Sequence, residues 1–242
     1  MTTLPTCGYR PYSVPAQQSE SLPFRVRLAR DETDLAKLIK LRSEVYDRHV
    51  PGMAKVLAEP EEDDFRSDVA IVIAECKSSH QILGSMRLVS NLSRALHLET
   101  DIRLPMQFSG KKMLEAWRLT VRPGEAGKMV SSALYKALYE ISYACGIDHV
   151  LVVARRPVDR LYQMMQFIEV NIGQKILLSN TLNLPHSLYH LPVKEADRLW
   201  RDAQCPLYPF MAMTTHPDLE LNHHEVLDKF LSSQAVEQGC CI

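Results

Sequence analysis

Glu115 and Arg118 interrupt an otherwise apolar run, Met113-Leu-Glu-Ala-Trp-Arg-Leu-Thr-Val121. A buried strand tolerates a carboxylate and a guanidinium only where each finds a partner, because an unpaired charge in a low-dielectric interior is strongly disfavoured. The pair therefore belongs either to a structural ion-pair network or to the floor of an active site. In chemical terms, a shielded carboxylate can take a proton from an amine, and a guanidinium can clamp a carboxylate through parallel hydrogen bonds. Their separation is odd, so strict alternation sends them to opposite faces of a sheet. Sharing one site requires a β-bulge between them, a device common beside active sites. Arg42, Arg87 and the acidic run Glu61-Glu-Asp-Asp64 are the charges able to converge on this strand. Two readings stay open for them: a network holding the first helix against the sheet, or a frame for a substrate's amine and carboxylate, with Arg87 as the carboxylate clamp.

The elements that must position these charges follow from pattern. Residues 24–29 alternate apolar and basic side chains, as a half-exposed strand does. Asp31 or Thr33 can cap a helix running to Arg48, with Leu35, Leu38, Ile39 and Leu41 on its apolar face, and Val50-Pro51-Gly52 ends it. An acidic loop follows over 59–64. Residues 68–75 are apolar on both faces and read as a central strand, and a turn at 76–81 joins them to 82–90 as a hairpin. After the strand 113–121 and a loop over 122–128, residues 129–145 read as a helix closed by Gly146. Residues 147–154 form another buried strand, and Pro157 suits the first turn of a helix reaching Phe167. Late strands over 168–192 and surface helices over 193–203 and 223–236 complete the pattern. Strands and helices surrounding one apolar sheet predict an α/β (α+β) domain with a central twisted mixed sheet.

Composition narrows the function classes. A net charge of −1 gives no support to a nucleic-acid binder, and no apolar run approaches the ~20 residues that span a bilayer. Six cysteines are scattered without a C-x-x-C pair, which points to a reducing cytoplasm rather than a zinc site or disulfide scaffold. The Cys240-Cys241-Ile242 end fails the prenylation pattern because residue 239 is glycine, and reads as a solvated tail. His186 and His190 lie between two prolines, and His223-His224-Glu225 sits at a helix start where glutamate is expected on dipole grounds. Neither completes a ligand set, so no metal is expected.

Taken in order, Leu41-Arg42 with Tyr46, the run Glu62-Asp63-Asp64-Phe65, Gly84-Ser-Met-Arg87-Leu and Glu115-Ala-Trp-Arg118-Leu resemble the acyl-homoserine-lactone synthases. They look closer still to the long-chain N-acyl amino acid synthases; both groups belong to the GNAT-like acyltransferase superfamily. The resemblance covers residues 24–175. It departs from the lactone synthases after the acidic run, where Arg66 follows Phe65 and the next acid is Asp68. It implies a GNAT-like domain over 23–205, preceded by a flexible arm (1–22) and followed by a C-terminal helical extension and tail (206–242). By the same resemblance Glu115 and Arg118 are catalytic, and Arg42, Arg87, Asp63, Asp64 and Trp117 bind substrate. The implied activity is transfer of a medium or long acyl chain from acyl carrier protein to the α-amine of an amino acid. Alternatives are acyl-homoserine-lactone synthesis, acetyl-CoA-dependent N-acetylation and a non-catalytic GNAT-like sensor.

The donor is read from one further motif. Acetyl-CoA-dependent relatives carry Arg/Gln-x-x-Gly-x-Gly/Ala, whose amides grip a pyrophosphate at a helix N-terminus. Here Arg122-x-x-Glu125-x-Gly127 puts a carboxylate at the first glycine. That disfavours CoA and favours an acyl-phosphopantetheine thioester on acyl carrier protein, with no tightly bound cofactor. Because the carrier is acidic, Lys128, Arg155, Arg156 and Arg160, with Lys175 beyond them, are candidates for its docking site. Met129, Met164, Met165 and Phe167 are candidates for the acyl slot. Any membrane contact would be peripheral, through the acyl chain or product.

Overall fold

The computed structural model describes residues 18–124 and 126–232. In chain order its elements are β1 (Gln18–Ser19), β2 (Phe24–Leu28), α1 (Glu32–His49), α2 (Pro51–Val56), β3 (Val69–Cys76), β4 (Ile82–Ser90), β5 (Met113–Val121) and α3 (Gly127–Ala144). Then come β6 (His149–Ala154), α4 (Asp159–Met164), β7 (Ile168–Glu169), β8 (Ile176–Leu177), β9 (Pro185–Pro192), α5 (Ala196–Asp202), β10 (Thr214–Thr215) and α6 (His223–Leu231). The main sheet runs β2-β3-β4-β5-β6-β9-β7, with β8 also on β9. The β5–β6 pair is parallel and its neighbours are antiparallel. This is the mixed α/β sheet flanked by helices that the sequence predicts.

Alternation assigns the two sheet faces. Leu114 and Ala116 of β5, with Met86 and Leu88 of β4, join a large apolar cluster under α3, whose buried positions include Val130, Leu134, Leu138 and Ile141. Gly84 explains itself here: a Cβ would lie 2.6 Å from Val130 Cγ1, so α3 sits directly on the β4 backbone. On the other face Met113 and Trp117 belong to a second cluster, and Leu38 and Leu41 of α1 pack on Ile73 and Ile82. Asp31 caps α1 by accepting from Asp34 N.

Several expected boundaries shift. Pro51 opens the short helix α2, so Val50-Pro51-Gly52 redirects the chain where a simple stop was expected. Pro157 precedes α4 by two residues and follows a cis peptide bond, and α4 closes at Met164. The last helix ends at Leu231. Residues 18–22, read as part of the arm, belong to the folded body: β1 pairs with β10, and Leu22 is buried in the large cluster. The extension is likewise part of that core, which takes in Met211, Val226 and Phe230. The Cys-Cys-Ile tail and most of the arm, residues 1–17, lie outside the described residues.

Candidate active site

The required bulge is present. Arg87 pairs with Trp117 and Ser85 with Thr120, so three steps on β5 match two on β4. Arg118 sits at this irregularity with φ of +54°, a left-handed conformation that costs a non-glycine residue on the order of 1–2 kcal/mol. The bulge turns Arg118 to the α1 side of the sheet, where its Nε and Nη2 donate to the two oxygens of Glu61 at 3.0 and 2.6 Å. Tyr46 of α1 shares a further hydrogen bond with this guanidinium. Glu115 and Arg118 thus share a face through the bulge while holding different partners.

Glu61 opens the 3₁₀ turn Glu62–Phe65, and this turn carries the acidic half of a dense network. Arg42 donates to Glu61 at 3.1 Å and Asp64 at 2.7 Å. Arg87 donates to Asp64, approaches Glu61 at 3.1 Å, and lies 5.4 Å above the Trp117 ring. Arg66 turns back onto Asp63 and Asp68, at 2.9 and 2.7 Å, so the acid after Phe65 displaced in sequence still takes part. The neighbouring guanidiniums pull the Glu61 and Asp64 carboxyls below their ordinary range against the opposing effect of burial. Arg42 and Arg87 are held by the acidic turn, so the open clamp expected at Arg87 is filled by protein carboxylates. Two donors stay unsatisfied beside each other, Arg87 Nη1 and Trp117 Nε1.

Glu115 stands apart from this compensation. It is 3% exposed, and its Oε2 accepts from Leu98 N at 3.0 Å. Leu98 and His97 belong to a 3₁₀ turn, His97–Thr100, in the long connection before β5, and the His97 amide also serves the carboxylate. Burial pushes the Glu115 pKa up to about 7, the nearby Asp63 adding to the rise. A carboxyl poised near neutrality in a cavity is what a general base needs.

The cavity beside it measures about 430 Å³. The ladder between β5 and β6 stops at Ala116–Val152, and the opening lies where the two strands part. Glu115, Trp117, Arg118 and Tyr46 contribute polar groups to its lining, and Val45, Val50, Met53, Val158, Leu178 and Leu184 contribute apolar ones. The slot residues expected from the sequence do not line it. Met165 and Phe167 face the large core, Met164 packs against that core, and Met129 is exposed. The physical reason is that α4 buries its apolar side toward α3, as the Tyr135–Tyr162 edge contact marks. Arg155 and Arg156 do line the cavity, whereas Lys128 at the start of α3 and Arg160 on α4 lie outside it. Among the described residues no group of three or more His, Cys, Asp or Glu side chains is placed to hold a metal ion. Glu125, which carried the argument against CoA, lies outside the described residues.

His97 escaped the sequence reading. No periodicity marks a single 3₁₀ turn, and the one available signal was its place in an unassigned connection leading into the charged strand.

No protein-family model and no curated protein matches the sequence. Solved structures do share its fold. FeeM, an N-acyl amino acid synthase from uncultured soil microbes, aligns with a TM-score of 0.55 at 14% identity, over 78% of this chain and 97% of its own. BjaI, a CoA-dependent acyl-homoserine-lactone synthase solved with SAM and isopentyl-CoA, gives 0.55 at 15%, over 86% and 100%. A GNAT-family protein from Desulfovibrio desulfuricans gives 0.50 at 16%, over 70% and 99%. The chain therefore has the GNAT fold that these structures share. Among the described residues no helix is long and apolar enough to cross a membrane.

Proposed function

We propose that this protein is an N-acyltransferase that moves a medium or long acyl chain from an acyl-phosphopantetheine thioester to the α-amine of an amino acid. The observation that carries the reading is Glu115, a buried carboxyl raised to about 7 on the wall of a cavity lined by both polar and apolar side chains. Such a group is ionised often enough at neutral pH to take a proton from the acceptor's ammonium, directly or through water. The freed amine attacks the thioester carbonyl. Backbone amides of β5 beyond Ala116, where pairing with β6 has ended, suit the developing oxyanion. Collapse of the tetrahedral intermediate expels the pantetheine thiolate, which leaves protonated.

The acceptor's carboxylate would find its donors at Trp117 Nε1 and at Arg87 Nη1, which also lies 3.6 Å from Asp63; both are among the buried groups without a hydrogen-bond partner. A buried indole N–H ordinarily has one. In this reading Arg42, Asp63, Asp64 and Arg118 set the shape of the acceptor site. A volume of about 430 Å³ is within the range of sites for small organic ligands. For the donor, Ala126 at the N-cap of α3 makes no side-chain hydrogen bond, which leaves first-turn amides for a single phosphate. Lys128, Arg155, Arg156 and Arg160 would receive an acidic carrier protein. The free thiols at Cys76, Cys145 and Cys205 agree with a cytoplasmic enzyme.

The test is to incubate the purified protein with a panel of acyl-carrier-protein thioesters, acyl-CoAs and amino acids, and to identify N-acyl products by mass spectrometry. An N-acyl amino acid formed from carrier-bound acyl groups supports the reading. Acetyl-CoA as the sole working donor overturns the carrier assignment, and absence of product from every donor overturns the enzyme.

A further inference from the structure

We propose that His97 is the proton relay that empties Glu115 after each turnover. The inference rests on the acyl-transfer reading above and adds a residue to it. Atom balance creates the need. An ammonium and a thioester give an amide, a thiol and one proton; the thiol keeps one proton from the acceptor nitrogen, and the other must reach solvent. Glu115 receives that proton in a position 3% exposed, so it needs an intermediary before the next cycle.

His97 meets the geometric requirements. Its own turn donates the backbone amides that hold the Glu115 carboxylate, which keeps that carboxylate beside the turn carrying the His97 ring. Its ring centroid lies 5.7 Å from that of Trp117, two residues along the same face of β5 from Glu115. Its side chain keeps 20% exposure, which opens the outward leg to solvent. Nε2 lies 3.5 Å from Asp63 Oδ2, an anion able to stabilise the imidazolium while it exists.

The charges facing the pair come from every element around it. Asp63 and Arg66 approach from the acidic turn, Arg87 from β4 and Arg118 from β5, with Glu99 on the same turn as His97. Burial and the three arginines hold His97 below its ordinary pKa against the pull of Asp63. The resting imidazole is neutral at pH 7 and able to accept. In the step, the O–H of protonated Glu115 breaks, an imidazole nitrogen of His97 gains the proton through an intervening water, and the imidazolium releases a proton to bulk solvent. The carboxylate is restored and no other reactant is consumed.

Replacement with His97→Gln and, separately, His97→Asn keeps the backbone amide and removes the titrating ring. Turnover is followed with a working acyl donor and acceptor across pH 6–9, at rising concentrations of free imidazole. The relay predicts a loss in kcat at the lower end of the roughly 10²–10⁴ range of proton-transfer catalysis. It also predicts KM values within about twofold of wild type and recovery of kcat that grows with imidazole, while wild type ignores the additive. Cooperative thermal unfolding of both variants controls for folding. Wild-type turnover in the variants overturns the relay, as does a loss that imidazole cannot recover. An active wild type with either result leaves the acyltransferase intact, whereas a wild type inert toward every donor removes both proposals.

Discussion

At the scale of a single residue, the proposed role of Glu115 sets function against stability. An acid whose folded pKa is raised from 4.5 to about 7 keeps its proton in the native state while the unfolded chain releases it. The Glu115 contribution to stability is therefore most favourable below about pH 4.5, falls as pH rises through the window up to about 7, and stays reduced above it. The shift corresponds to a deficit of about 3 kcal/mol once both states are ionised. In the proposed mechanism catalysis runs the other way, because only the carboxylate accepts a proton. Glu115→Gln is expected to lower kcat on the order of 10²–10⁴-fold. It is also expected to gain stability relative to wild type between pH 5 and 8, as read from urea midpoints at each pH. The wild-type kcat should rise with pH through an apparent pKa near 7, and this limb should be missing in the variant. A variant that loses stability at pH 8 and retains turnover would make Glu115 an ordinary structural carboxylate.

At the scale of elements, the acidic 3₁₀ turn docks α1 on the sheet through Arg42, Arg87 and Arg118. Asp64 has no exposed side-chain surface and bridges two of these arginines. Asp64→Asn strips a buried charge from its partners and should cost about 3 kcal/mol in chemical denaturation, with little dependence on salt. The Asp64 and Glu61 carboxyls are held below their ordinary values. Their contribution is thus complete above the unfolded carboxylate range and lost as pH falls through the depressed folded values. The variant should accordingly show a shallower acid limb than wild type. Much of this level was legible in the sequence: an odd spacing between two charges in one apolar strand demanded the bulge, and Gly84 with Arg87 marked the neighbouring strand. The partner of Glu115 was not legible, because a turn of four residues carries no period and its contact to β5 is made by backbone. The expected slot residues fall outside the cavity lining for a related reason. Methionine composition does not say which way α4 rolls, and the tyrosine packing that decides it is tertiary.

At the scale of the whole molecule, the chain returns to its own beginning. β10 pairs with β1, and Val26 bridges to Leu219, so residues 214–219 lie along the start of the sheet. From α3, buried Lys136 donates to the carbonyls of Phe210 and Thr214 and meets His216 Nδ1 at 3.1 Å. A chain cut after Cys205 would strand that ammonium and uncover the core faces filled by Met211, Val226 and Phe230. Such a chain is expected to be insoluble or to bind hydrophobic dyes without a cooperative unfolding transition; a soluble, cooperatively folding product would show the extension to be dispensable. The opposite end of the problem is recognition of the donor by a protein whose net charge is only −1. Under the proposed carrier-protein reading, attraction for an acidic carrier would come from local cations such as Lys128 at the start of α3 and Arg160 on α4, which lie outside the cavity lining. Reversing both to glutamate should raise KM for acyl-carrier protein by about tenfold while leaving kcat within about twofold. Wild-type KM should climb with salt as the Debye length shortens to about 8 Å at physiological ionic strength. A short acyl-pantetheine thioester has no acidic surface to dock, so its kinetics should ignore both the reversal and the salt. Equal losses for the two donors would assign these cations to the phosphopantetheine arm, and no loss for either would leave them as solvated surface charge.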